Sequence, residues 1–325
     1  IFVLARGDVT KPGKLVGPGA IAAITALDGR FDLPADADES QRRVALARWI
    51  VDRDNPLTWR SIVNRVWQYH FGRGLVDTPN DFGRMGGAPS HPELLDWLAV
   101  WFRDEAGGSL KQLHRLIVSS ATYRQSSQRD AASTARAVAI DADNRLLWRQ
   151  NRRKLEAEAM RDSMLAVADK LDPTMGGPSF QDFVIEEPNH SPHYEYNQYD
   201  ADDAKSHRRS VYRFLVRSKQ QPWMATMDCA DPSMLVDKRN QTITPLQALA
   251  QMNNQFVLVM ARHFAERVER DGGTLDEQVA RAVRLAVQRP PTPDELRQLV
   301  DYAGVHGMAN TCRILLNLNE FVFVD

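Results

Sequence analysis

The chain has 325 residues, 43% hydrophobic and 26% charged, with a net charge of −1 and an isoelectric point near 6.8. That is the composition of an ordinary globular protein, long enough for one large domain or two modest ones. It excludes a nucleic-acid binder resting on a broad cationic face, and no apolar run reaches the roughly 18 residues of a membrane span.

Residues 1–9 read as a short β run, after which Lys11-Pro12-Gly13 and Gly17-Pro18-Gly19 predict an extended arm with little core. From Ser40 the pattern is helical, with Val44, Leu46, Ala47 and Ile50 on one stripe and Asp54-Asn55-Pro56 as the stop. A second helix is expected over Thr58–Phe71, ended by Gly72 in a left-handed conformation. Ser90-His91-Pro92-Glu93 has the spacing of a capping box, and Leu94, Leu95, Leu98, Trp101 and Phe102 follow as a buried face. Ser109 opens a fourth helix, and a fifth is expected from Asn151 to Lys170.

Residues 178–206 are acidic and tyrosine-rich with no helical stripe, and RRSVYRFLVRS at 208–218 alternates like a strand. Helical pattern returns over Pro245–Glu269 and Leu275–Val287, then after Thr292-Pro293-Asp294-Glu295, a second capping-box spacing. A last helix falls near Asn310–Leu316. The expected fold is mainly α: a multi-helix domain with a small β element in the middle and an extended N-terminal arm. Its parts are an arm over 1–39, a helical half over 40–177, a loop-rich insertion with a short strand over 178–244, and a second helical half over 245–325.

Of 41 basic residues 33 are Arg, which suits carboxylate pairing as well as an anion or sugar-acid site. Cys229 and Cys312 stand outside any CxxC or CxxCH pattern. No GxSxG elbow, P-loop or HExxH occurs, and Gly72-Arg73-Gly74 follows a helix where a dinucleotide fingerprint needs a strand. His190-x-x-His193 sits in an acidic loop, so no transition-metal site is assigned. Asp200, Asp202 and Asp203 are the hard-oxygen candidates for calcium, without EF-hand spacing.

The ligand-site candidates gather in VNRVWQYHFGRGLVDTPNDFGRMGGAPSHPELLDW, residues 63–97. Arg65, His70, Asn80 and Asp81 there read either as turn and salt-bridge residues, with Arg65 holding Asp81, or as a polar pocket. Tyr123 and Arg124 follow the fourth helix among hydroxyl residues that serve caps or a sugar. Glu158 and Asp162, four apart on one helix, read as a buried Arg–carboxylate network or as paired acids for glycoside hydrolysis. Tyr194, Tyr196 and Tyr199, with Trp223, offer a stacking platform or a solvated loop.

NRVWQYHFGRGLVDTPNDFGRMGGAPSHPELLDWLA, SSATYRQSS, DNRLLWRQNRRKLEAEAMRDSML, TPLQALAQMNNQFV and LLNLNEFVFVD resemble successive blocks of one family. It is a domain of unknown function found mostly in planctomycetes, closing proteins that carry cytochrome-c-like domains. The resemblance implies export, a haem c on an upstream domain missing here, no cofactor in this chain, and upstream domains as partners. It carries over no catalytic residue, and the insertion at 181–205 is longer than the family's usual connection. Together with the Met-less opening IFVLARGDVT, it implies a piece of a longer protein. The expected function is a non-catalytic binding or assembly module presenting a polar, Arg- and aromatic-lined pocket to a carbohydrate or partner domain. The competing expectation is a carbohydrate-active hydrolase or a redox partner of the haem domain, acting through Arg65, His70, Asp81, Tyr123 and Arg124.

Overall fold

Prolines and side-chain caps set where the helices of this chain begin. The computed structural model describes residues 2–34, 36–128, 130–187 and 190–324. Residues 1 and 35 of the expected arm and 188 and 189 of the acidic loop lie outside them. The protein is mainly α, with thirteen helices and three small antiparallel strand pairs among the described residues. It divides into two compact units, 1–151 and 152–325.

The first unit opens with a hairpin of β1 (Phe2–Leu4) and β2 (Pro12–Leu15), neither of which buries a residue. Helices α1 (Glu39–Ile50), α2 (Pro56–Phe71), α3 (Pro92–Asp104), α4 (Leu110–Ser119) and α5 (Ala131–Ile140) follow. The α2 start is fixed by Asn55, whose side chain accepts from the Leu57 N–H, and by Pro56, whose missing N–H costs nothing in a first turn. Gly72 ends it at φ 78°. The core joins Val63, Trp67 and Phe71 of α2 to Leu95, Leu98 and Phe102 of α3 and Leu113 and Ile117 of α4. Helix α1 buries no residue, so the stripe expected to face inward stays at the surface.

The capping box expected at Ser90 does not form. His91 caps α3 without a side-chain bond, and the Ser90 N–H donates to the Leu75 carbonyl instead, at 2.8 Å. That bond draws Ser90 onto the preceding loop, one residue too early to cap the helix.

In the second unit β3 (Arg153–Lys154) pairs with β6 (Phe323–Val324) and ties the unit's two ends together. The helix expected from Asn151 therefore begins only with α6 (Ala157–Val167). The central β element is a hairpin of β4 (Val184–Glu186) and β5 (His193–Glu195), not a strand over 208–218. There the backbone makes a 3-10 turn at Ser210–Tyr212 because α6 claims its polar groups. Asp162 accepts from both the N–H and hydroxyl of Ser210 at 2.7 Å, and Arg161 donates to the carbonyls of Ser206 and Arg208. Groups bonded in this way cannot also run a ladder.

Next come α7 (Pro222–Thr226), α8 (Pro245–Asn253), α9 (Gln255–Arg270), α10 (Leu275–Val287), α11 (Pro293–His306), α12 (Met308–Leu315) and α13 (Asn319–Val322). The single helix expected over Pro245–Glu269 is broken at Asn254, whose extended backbone ends α8 and whose side chain accepts from the Phe256 N–H to start α9. The capping box at Thr292 and Glu295 forms, as do two more at Thr244 and Thr274. Helix α9 is the axis of this unit, burying Phe256, Val257, Met260, Phe264 and Val268 against Met160, Met164 and Leu315. Full burial of side chains of this size contributes about 1.5–3 kcal/mol each.

Candidate functional site

The corner between α1 and α2 is held by the first turn of α2. Asn55, 1% exposed, donates to the Trp49 carbonyl at 3.0 Å. The Thr58 hydroxyl donates to the Ile50 carbonyl at 2.6 Å and the Trp59 indole N–H to the Asp52 carbonyl at 3.1 Å. These bonds fix Trp59 and Arg60 against α3, where Trp59 meets Phe102 edge-on at 6.3 Å.

Facing them, Asp96, Ala99, Val100 and Arg103 recur on α3 at helical spacing. Between the two helices lies a cavity of about 410 Å³ lined by Arg53, Trp59, Arg60, Asp96, Val100 and Arg103 among others. Ala99 keeps it open, since a larger side chain there would fill it.

Its charges are ordered in pairs. Arg60 Nε donates to Asp96 Oδ1 at 2.6 Å. Arg103 grips both Asp104 oxygens at 2.6 Å and the Arg53 carbonyl at 2.9 Å, while Arg53 meets Asp104 at 3.0 Å. The Arg103 fork holds the Asp104 carboxyl below its usual range, and Asp104 raises the Arg103 guanidinium in return.

A second cavity of about 210 Å³ is lined by Val76, Phe82, Gly87, Pro89 and Leu95, and also by Arg60 and Asp96. The Arg60–Asp96 pair is thus shared by two cavities, with guanidinium and carboxylate accessible (37% and 54%). The loop walling the smaller cavity is set by Thr78, whose hydroxyl donates to the Asp81 carbonyl and accepts from the Gly87 N–H. Gly86 is required there, because a Cβ would stand 2.1 Å from the Asp81 carbonyl oxygen.

The six sequence-stretch candidates do not line either cavity. Arg65 bonds Asn80 Oδ1 at 2.8 Å rather than Asp81, whose carboxylate accepts from the Gly83 N–H at 2.8 Å. His70 lies five residues from Arg65, about 140° around α2. It meets His114 at 2.7 Å and Tyr123 edge-on at 5.5 Å. The Arg124 N–H closes the turn after α4 on the Ser120 carbonyl. So His70 and Tyr123 come together, Arg65 and Asn80 come together, and the two pairs serve different places.

In the second unit Tyr194 and Tyr196 pack edge-on against Phe183 at 5.2 and 5.4 Å, and the Tyr196 hydroxyl donates to the Lys219 carbonyl. Tyr199 packs on the main core, and Trp223 is 3% exposed. Burial pushes the hydroxyls of Tyr196 and Tyr199 up to about 12. These rings build a core rather than an open platform.

Asp200 and Asp203 accept from nearby backbone N–H groups, while Asp202 pairs with Arg262 and with His263 at 2.5 Å. Among the described residues no three His, Cys, Asp or Glu side chains are grouped to hold a metal ion. Glu158 and Asp162 part company: Glu158 takes Arg239 at 2.8 Å and the Cys229 thiol at 3.4 Å, and Asp162 takes Ser210. Burial acts most strongly, to raise the Glu158 carboxyl, but the Arg239 bond and charge, a backbone N–H and the Cys229 thiol together leave it below its usual range.

Trp59, Arg60, Asp96 and Arg103 were not legible as a site, because each fits an ordinary helix. One signal was present: small Ala99 between Asp96 and Arg103, on a helix otherwise rich in Leu, Trp and Phe.

One protein family, described as Protein of unknown function (DUF1553) and also called PSD1, matches residues 42–303, more than half of the chain. No curated protein and no solved structure matches.

Proposed function

The chain belongs to the DUF1553 family, which is one of unknown function, and from the site itself we propose that its first unit is a carbohydrate-binding module without catalysis. The observation that carries this reading is the Arg60–Asp96 pair shared by cavities of about 410 and 210 Å³. A sugar hydroxyl donates one hydrogen bond and accepts others, so one hydroxyl can accept from Arg60 and donate to Asp96 at once. Trp59 supplies an apolar wall for a ring's C–H face, and two cavities joined at one polar pair suit two adjoining sugar rings. The larger volume falls in the range of small-molecule sites.

The setting proposed is the one implied by the sequence resemblance: an exported protein with cytochrome-c-like domains ahead of this part. The hydrolase alternative needs two carboxylates turned to one bond, whereas Glu158 and Asp162 are taken up by different partners.

Calorimetric titration of the chain with neutral and acidic oligosaccharides tests the proposal. We expect one sugar class to bind, with affinity lost at least tenfold in Arg60→Ala and in Trp59→Ala. Arg60→Ala should fold normally, since an exposed ion pair contributes only about 0–1 kcal/mol. No binding across the panel, or binding indifferent to both substitutions, would sink it.

A further inference from the structure

Two tryptophans stand together on α3, beside the larger cavity. Trp97 and Trp101 are four residues apart on the helix, and their rings lie 6.3 Å apart with 24° between their planes. Trp101 packs on the core of the first unit, so it holds the Trp97 ring in place. Trp97 is nevertheless 51% exposed. A held, open indole is a ready anchor, because covering it removes a large apolar area from water at little cost in side-chain freedom.

Helix geometry joins this pair to the cavity. Val100, which lines the cavity, is three residues from Trp97, about 60° around the helix and about 4.5 Å along it. Val100 is itself 50% exposed. The cavity wall therefore continues over Val100 towards the Trp97 ring.

The charges decide what lies along that path. Arg60 pairs with Asp96, and Arg53 and Arg103 both meet Asp104. Asp54 also lines the cavity. Three guanidinium groups thus face three carboxylates, and an acidic ring would bring its own carboxylate against Asp54 and Asp96 with no cation in excess to meet it.

Resting on the reading of the cavity as a sugar site, we infer that its ligand is a neutral polysaccharide chain, with further rings of the same chain stacked on Trp97. The C–H face of a neutral sugar ring is apolar and broad enough to cover an indole, while the hydroxyls at its rim stay in water. A disaccharide held in the two cavities would leave Trp97 bare.

The test is calorimetric titration of the intact chain with β-1,4-linked glucose, mannose and xylose oligomers of two and six rings. Hexagalacturonate is the acidic probe. The expected result is binding of one neutral series, with the hexamer at least tenfold tighter than the dimer. In Trp97→Ala that ratio should fall at least fivefold, whereas Arg60→Ala should weaken both lengths. Because Trp97 is half exposed, the variant should keep its circular dichroism spectrum. Should it not, Trp97→Leu, which keeps packing on Trp101 but loses the flat ring, must lower the ratio by the same factor. A hexamer no tighter than the dimer, a ratio that survives the substitution, or tighter binding of hexagalacturonate overturns the inference and leaves an Arg60-dependent sugar site standing. No binding of any oligomer overturns both.

Discussion

Two buried cations do most to shape the second unit. Arg213 and Asp182 are each 3% exposed and 2.9 Å apart. Removing one partner leaves the other as an uncompensated buried charge, which costs about 3–5 kcal/mol. Urea denaturation of Arg213→Ala should show a loss of that size, and the pair D182L/R213M should recover most of it. Arg161 lies between the rings of Phe180 and Phe256, about 5 Å from each, and burial lowers its guanidinium to about 10. It stays charged at neutral pH, held by the Ser206 and Arg208 carbonyls with Asp162 3.7 Å away.

His207 behaves in the opposite sense. Burial pushes its imidazole below the usual 6.5, with Arg161 and His263 acting the same way against a smaller pull from Asp202 and the Ala201 carbonyl. A folded-state value below the unfolded one means stability is present above about pH 6.5 and lost as pH falls below it. Stability measured from pH 7 to 5 should therefore decline. His207→Gln, which keeps a donor for the Ala201 carbonyl, should flatten that decline; an identical slope in the variant would disprove the assignment.

Among the elements, α8 inverts the usual ranking of substitutions. Gln247→Leu, hydrophobic by any scale, removes the donor to the Thr226 carbonyl, Asp228 and the Thr242 hydroxyl, and should cost about 1–3 kcal/mol per buried group left unpaired. Leu246→Ser should cost under about 0.5 kcal/mol, because that side chain is 63% exposed. Denaturation of both variants checks the order.

This is also where the sequence was hardest to read. Helices with a Pro or Thr start and an inward leucine stripe, such as α3 and α11, were legible from spacing alone. The break at Asn254 was not, because the apolar pattern runs through it and only the backbone reveals the turn. Nor was the outcome at 208–218, whose alternation is real but whose Arg208 carbonyl and Ser210 N–H are taken by Arg161 and Asp162, so that only isolated bridges at Arg208 and Arg213 form. At the candidate site the loop around Thr78 and Gly86 could be recognised as a tight turn, whereas Arg60 and Asp96 lie 36 residues apart and only packing brings them together.

At the scale of the whole molecule, the two units are built independently. The cores of the two units share no residue, one drawing on 59–147 and the other on residues beyond 151. With β3 and β6 closing the ends of the second unit, a fragment of residues 152–325 should fold alone. A single cooperative thermal transition with helical circular dichroism is the expected result; a broad, featureless melt would count against independent folding.

The bonds around Arg161 and Arg213 change how the acidic segment after residue 178 should be treated by anyone editing this protein. By composition it looks like an ornament that could be trimmed to a short linker. Yet Arg161 takes its acceptors from Ser206 and Arg208, and Arg213 takes Asp182. Excision would remove Asp182 outright, stranding the Arg213 guanidinium in the interior, and would unseat the adjoining turn whose carbonyls hold Arg161. The segment is a keystone: variants that shorten it should fail in expression, while short insertions at the exposed 107–108 glycine turn should be tolerated.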